Sequence, residues 1–359
     1  MTPIFATSTY AQPEFGVSTG YEYARVSNPT RTALEANLAA LEGGAHAVCF
    51  ASGMAAVSAL MGLFSSGDHI VVSDNVYGGV YRAFETIFRN YGLAFTWVDT
   101  SDLGALEAAI RPETKLVYVE TPTNPVMQVT DIAGASAAAH RRGVPLLVDN
   151  TFMTPVFQRP LELGADLVLH STTKYLNGHS DSLGGVLITN DAATAERLRF
   201  IHKTTGALLS PFECFLVLRG TKTLAVRMRQ HEQNGRAVVS FLEGQKAVRR
   251  IYYPGLAGHP GHKIHARQAS GFGAMVAFDV GSLEAARRFL NALQLFTLAE
   301  SLGGVESLAC HPATMTHAAV PKEKRDALGV TEGLVRLSVG IEGAEDLLAD
   351  LAGAFKATE

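Results

Sequence analysis

The sequence predicts an α/β fold, in which a large domain on a mostly parallel sheet is followed by a smaller C-terminal α+β domain. Three observations predict it. Short β-rich runs alternate with longer alanine-rich helical stretches up to about residue 220. The alternation then gives way to one long polar–apolar helical stretch and a connection rich in Gly, Pro and His. At 359 residues, 47% hydrophobic and 18% charged, the chain is long enough for two packed cores.

Taken in order, strands are predicted at 47–50, 69–73, 94–98, 115–119, 146–149, 167–170 and 185–189. Each is a short apolar run of the kind a sheet covered on both faces requires. Helices are predicted between them at 30–41, 54–63, 80–91, 103–110 and 131–142. A long helix is expected over 221–242, then an irregular connection over 253–273 and strands at 274–280 and 334–339. The expected organisation is a segment over 1–25, a large domain over 26–220 and a small domain over 221–359. No repeat and no low-complexity tract interrupts it.

A formal net charge of −4 and scattered basic pairs such as Arg141-Arg142 and Arg249-Arg250 give no nucleic-acid footprint. Cys49, Cys214 and Cys310 lie far apart in apolar surroundings, which fits buried free thiols. No run of 18 uncharged apolar residues occurs, and no basic leader precedes an apolar core, so a cytoplasmic location is expected. No metal site is expected either. His259, His262 and His265 lack a cysteine or paired carboxylate at ligand spacing, and Pro260 breaks their helical face.

Chemistry gathers where predicted strands end, since ligands of open α/β sheets bind beyond the carboxyl ends of the strands. Lys174 follows the run at 167–170 through Ser171, Thr172 and Thr173, and Asp149 closes the run at 146–149. An ammonium next to a buried strand is costly unless it is paired or its pKa falls, which is how nucleophilic and Schiff-base lysines arise. Hydroxyls of Ser171 and Thr173 to hold a phosphate, and Asp149 to hold a protonated ring nitrogen, complete the parts a pyridoxal phosphate (PLP) enzyme needs. Taken alone, a lysine at a strand end reads as a solvated edge charge. The turn Ala51-Ser52-Gly53-Met54 opens a helix and reads as a phosphate site or a plain strand–helix turn. Tyr77, between Val76 and two glycines, reads as a ring-stacking phenol or a surface tyrosine. Asn124 stands in a loop that two prolines stiffen. Arg336, in an alternating strand, reads equally as a salt-bridge partner or a fork waiting for a ligand carboxylate.

The ordered motifs ASGM (51–54), ETPTNP (120–125), VDNTF (148–152), HSTTKYLNGHSD (170–181), SLGGVESL (301–308) and YARVSNPTR (23–31) resemble the Cys/Met-metabolism family of PLP-dependent enzymes. That family includes cystathionine lyases and synthases, methionine γ-lyases and O-acylhomoserine sulfhydrylases. The resemblance implies the PLP-dependent transferase fold (aspartate-aminotransferase-like, fold type I) and a homotetramer built from two dimers. It implies Lys174 as the lysine that carries the cofactor, Asp149 on the ring nitrogen, and Gly53, Met54, Ser171 and Thr173 on the phosphate. Tyr77 would stack on the ring and, with Lys174 and Asp149, form the catalytic set. Tyr23 and Arg25 match the pair that reaches the neighbouring subunit's cofactor, and the 1–25 segment would reach the partner. Asn124, Ser301 and Arg336 match contacts to the substrate carboxylate and cofactor oxygens. Family members usually carry roughly 20 to 40 further residues at the N-terminus, so an upstream extension is expected.

Within the family, methionine γ-lyases carry a cysteine and an apolar residue where this chain has Gly79 and Glu300. Glu22, Arg82 and Glu300 instead resemble the charged set that receives the distal end of a long amino-acid substrate; the alternative is that these charges pair with one another. The expected activity is γ-elimination of L-cystathionine to L-cysteine, 2-oxobutanoate and ammonia. The alternative is cystathionine γ-synthase, which joins cysteine to an acylhomoserine. Methionine γ-lyase, O-acylhomoserine sulfhydrylase and a non-catalytic PLP-binding module are the remaining readings.

Overall fold

The computed structural model describes residues 2–318 and 320–358. Seven strands form the first sheet: β1 (His46–Phe50), β2 (His69–Ser73), β3 (Ala94–Val98), β4 (Thr114–Glu120), β5 (Leu146–Asp149), β6 (Leu167–His170) and β7 (Gly185–Thr189), in the spatial order β1-β7-β6-β5-β4-β2-β3. Pairing is parallel from β3 through β6, and β7 is antiparallel to both β6 and β1. Since β7 alone is reversed, β1 runs with the other five, and six carboxyl ends meet at one edge. The sheet is mostly parallel, as expected, and a mixed sheet of this kind fits fold type I.

Helices α1 (Pro29–Glu42), α2 (Gly53–Met61), α3 (Gly78–Thr86), α4 (Leu103–Ala109), α5 (Ile132–His140), α6 (Thr154–Phe157) and α7 (Ala192–Thr205) pack around this sheet. Side chains fix several starts: Asn28, Ser52, Asp102, Asp131 and Asp191 each accept first-turn N–H groups of the helix that follows. Ile70, Val72, Leu116 and Tyr118 fill one core between the sheet and its helices. Val71, Val117, Val119 and Val148 fill another, so consecutive residues of β2 and β4 serve opposite faces.

Two sequence expectations shift here. The stretch at 80–91 is two pieces, α3 and a 3-10 turn at Phe88–Tyr91, separated at Ile87. The helix expected over 221–242 is preceded by a separate one: α8 (Pro211–Thr221) starts at the Ser210 cap, and after Lys222 and Thr223 the chain re-enters helix as α9 (Leu224–Glu243). Thr221 therefore ends one helix instead of beginning the next.

A second sheet follows, built from β8 (Arg250–Tyr252), β9 (Met275–Asp279), β10 (Thr297–Leu298), β11 (Leu308–Cys310) and β12 (Leu334–Ser338), in the order β10-β11-β12-β9-β8. The connection expected over 253–273 contains α10 (His262–Gln268). Helices α11 (Leu283–Ala292), α12 (Lys322–Ala327) and α13 (Ala344–Lys356) complete the chain, with Phe278, Phe289 and Phe355 at the centre of that core. Among the described residues no helix is long and apolar enough to cross a membrane.

Candidate active site

The common edge of the first sheet becomes one wall of a cavity of about 360 Å³. β1 delivers Ser52, Gly53 and Met54, β2 delivers Tyr77, β4 delivers Glu120 and Asn124, β5 ends in Asp149, and β6 leads to Ser171, Thr173 and Lys174. Glu300, Ser301 and Arg336, from the region of the second sheet, close the opposite side. The site is therefore assembled from strand ends far apart in sequence.

Lys174 Nζ donates to Ser301 Oγ at 2.7 Å. Burial, assisted by the Arg336 charge and opposed by Glu300, lowers its pKa to about 8. The solvation problem read from the sequence is thus eased by a lowered pKa and by the Ser301 hydroxyl. Arg336 is 2% exposed, and its Nη1 donates to Asn124 Oδ1 at 2.8 Å and its Nη2 to the Ser301 carbonyl at 2.7 Å. Its Nε is buried without an acceptor, and among the described residues no carboxylate pairs with it. Of the two sequence readings of Arg336, the geometry favours the fork that waits for an anion. His317 joins from the segment before α12. Burial, reinforced by Arg336, lowers its pKa to about 4, so the neutral ring donates from Nε2 to the Asn124 carbonyl at 3.1 Å while Nδ1 accepts from Thr316 Oγ1 at 2.9 Å.

Asp149 receives the Thr151 N–H on Oδ1 at 3.0 Å, and the Thr151 hydroxyl donates to the same oxygen. Burial pushes this carboxyl up in spite of those bonds. A cation at Oδ2 would offset the cost, which is what a protonated ring nitrogen supplies. Beside it, Glu120 is pushed up to about 8, first by burial and then by Asp149.

A helix start with free donors beside Ser171 could hold a phosphate. Ser52 Oγ accepts from Ala55 N at 3.0 Å and starts α2, while no protein acceptor meets the N–H groups of Gly53 and Met54 among the described residues. A Cβ at position 53 would lie 3.1 Å from Ser171 Cβ, so glycine keeps the space beside the Ser171 hydroxyl open. Thr173 Oγ1 donates to the Gly184 carbonyl at 3.2 Å and accepts from Gly184 N at 3.0 Å, which fixes its side chain at the rim. Free N–H groups, hydroxyls, an acid for a ring nitrogen and a lysine of lowered pKa together fit pyridoxal phosphate.

Eleven of the fifteen site residues expected from sequence line this cavity; Glu22, Tyr23, Arg25 and Arg82 do not line the cavity of this chain. Tyr23 and Arg25 lie on the surface, with the Arg25 guanidinium 5.4 Å from the Tyr23 ring centroid and its Nη1 donating to the Lys203 carbonyl. Arg82 is on the exposed side of α3. Sequence reading missed Glu120, Thr151 and Thr316, although Glu120 and Thr151 stand inside motifs it quoted. The histidines set aside as ligands have other partners: His262 Nδ1 meets the Pro254 carbonyl and His265 Nε2 the Gly271 carbonyl. Cys49, Cys214 and Cys310 are free and buried, as expected.

A family model described as Cys/Met metabolism PLP-dependent enzyme matches residues 1–356. The chain is 53% identical to a cystathionine γ-lyase of Bacillus subtilis over 99% of its own length and 93% of that protein's. It is 49% identical to a cystathionine β-lyase of Lactococcus lactis subsp. cremoris, with the same coverage. The crystal structure of cystathionine γ-synthase from Xanthomonas oryzae pv. oryzae in complex with cystathionine superimposes with a TM-score of 0.97 at 46% identity, covering 99% of this chain and 92% of that one.

Proposed function

Because the chain belongs to the Cys/Met metabolism family of PLP-dependent enzymes, we propose that it catalyses γ-elimination of L-cystathionine to L-cysteine, 2-oxobutanoate and ammonia. Bound in the cavity, pyridoxal phosphate supplies an electron sink conjugated to the substrate's α-carbon. Gly53, Met54, Ser171 and Thr173 would hold its phosphate, Asp149 its ring nitrogen, and Tyr77 its ring face.

Arg336 grips the α-carboxylate, with Asn124 Oδ1 and the Ser301 carbonyl setting the plane of its fork. Lys174 takes the α-proton, passes it on to the conjugated cofactor carbon and, neutral again, takes a β-proton, whose electron pair drives out the γ-sulfur as thiolate. The Tyr77 phenol is available to protonate the departing thiolate. Glu300 receives the distal ammonium, with Glu22 and Arg82 completing that end in the assembled enzyme, a homotetramer in which Tyr23 and Arg25 serve the neighbouring subunit's site. The domains over 26–220 and 221–359 would supply the two walls, and the cytoplasm is the expected location.

One observation carries this reading: the Lys174 amine, held at 2.7 Å by Ser301 and lowered to about 8, lies beside Glu300. A base used twice in one turnover must give up its proton as readily as it takes one, and that requires a pKa near the working pH. The relatives include a synthase, so the test offers purified enzyme L-cystathionine in one reaction and O-succinylhomoserine with cysteine in another. Faster release of 2-oxobutanoate from cystathionine supports the lyase; faster cystathionine formation would establish the synthase instead.

A further inference from the structure

Glu120 ends β4 in register with Asp149 at the end of β5, so two carboxyl groups stand side by side at the cavity wall. It is 5% exposed and, among the described residues, takes part in no ion pair. A buried acid placed next to a second acid is costly, and it persists only where each oxygen has a strong donor. Both oxygens have one. Oε2 accepts the Tyr77 N–H at 2.9 Å and Oε1 accepts the Asn124 N–H at 2.8 Å. These donors belong to loops after different strands: Tyr77 precedes α3 without any side-chain cap of its own, and Asn124 lies in the loop after β4.

We propose that Glu120 is a positioning residue whose carboxyl group clamps Tyr77 and Asn124 together, so that the ring-stacking side chain and the Arg336 carboxylate grip move as one unit. The proposal rests on the reading above, in which Tyr77 stacks on the cofactor and Arg336 holds the α-carboxylate. From Glu120 the chain of contacts continues through Asn124 Oδ1 to Arg336, through the Ser301 carbonyl, and from Ser301 Oγ to the Lys174 amine. The charged groups that face Glu120 are Asp149 from β5 and Arg336 from β12. The clamp therefore ties the cofactor's stacking face to both the substrate anchor and the proton-transfer lysine.

Glu120→Gln tests it, because an amide keeps one acceptor and turns a donor toward the other N–H. In cofactor-free protein, hydrogen exchange read by mass spectrometry is expected to accelerate in the peptides carrying residues 77 and 124 and to stay unchanged in β9 and β12. In the PLP-loaded enzyme, binding of L-alanine and of ethylamine is read from the cofactor's absorbance, since only alanine offers a carboxylate to Arg336. The wild-type preference for alanine should fall roughly tenfold in Glu120→Gln, the scale of a buried hydrogen bond lost on one side. Glu120→Asp, one methylene shorter, keeps one contact and should give an intermediate preference; it decides the matter alone if Glu120→Gln does not fold. Unchanged exchange at both peptides, or an alanine preference equal to wild type, overturns the clamp. Neither ligand undergoes elimination, so these results are independent of whether cystathionine is the substrate.

Discussion

Lys174 and Ser301 are 127 positions apart in the chain and meet through a 2.7 Å hydrogen bond from Nζ to Oγ. Ser301 makes that contact from a left-handed backbone, φ +90°, which side chains other than glycine rarely adopt. The Arg336 bond to its carbonyl holds it there. The proposed proton-transfer group and the proposed carboxylate anchor are thus joined through one residue. Lys174→Ala is expected to abolish both the yellow absorbance of the bound cofactor and measurable turnover. Absorbance spectra and 2-oxobutanoate release check this, and unimpaired turnover would rule out Lys174 as the base.

The lowered pKa of Lys174 also has a sign in stability. Burial disfavours its charged form, so cofactor-free protein carries the full cost of a buried ammonium below about 8, and that cost is relieved as pH rises toward the ordinary value of 10.5. The stability of cofactor-free wild type relative to Lys174→Ala should therefore rise between those pH values, by about 3 kcal/mol in all. Paired urea titrations at several pH values measure it.

Arg336→Lys keeps the charge but loses the planar fork, and one of the two bonds to Asn124 Oδ1 and the Ser301 carbonyl goes with it. The expected result is a fall in kcat/KM of about 10- to 100-fold, carried mainly by KM, as loss of a charge-assisted contact predicts. Steady-state kinetics with L-cystathionine checks it. A change confined to kcat would place Arg336 in the chemical step instead.

Lys324 on α12 lies 4.3 Å from the Tyr81 ring centroid and 4.6 Å from that of Trp97. Trp97 is the chain's single tryptophan and donates from Nε1 to Glu85 at 2.6 Å. This contact fastens the segment that brings Thr316 and His317 over the cavity. Lys324→Gln should alter Trp97 emission and cost about 1 kcal/mol, the scale of a partly buried cation–π pair. Fluorescence and thermal unfolding provide both readouts.

Much of the site was legible because chemistry at the end of a parallel strand is local in sequence. Lys174 and Asp149 each follow an apolar run, and the sheet brings both to one edge. Glu120 was not legible as a functional group, since its partners are backbone N–H groups that only the folding of two loops supplies. Thr316 was hidden for a similar reason, as only tertiary packing brings its segment against Gly78 and the cavity. The break between α8 and α9 escaped because Lys222 and Thr223 carry neither Gly nor Pro to mark it. Glu22 and Arg82 were read only from a resemblance in charge and lie outside this chain's cavity, whereas Tyr23 and Arg25 were expected at a neighbouring subunit's site and are likewise absent from this one.

The γ-elimination proposal is decided by the keto acid that purified PLP-loaded enzyme releases from L-cystathionine, measured by mass spectrometry alongside the liberated thiol. Cleavage on the γ side yields 2-oxobutanoate with cysteine, and the account predicts these as the main products. Pyruvate with homocysteine as the main products would mean cleavage on the β side and would contradict it.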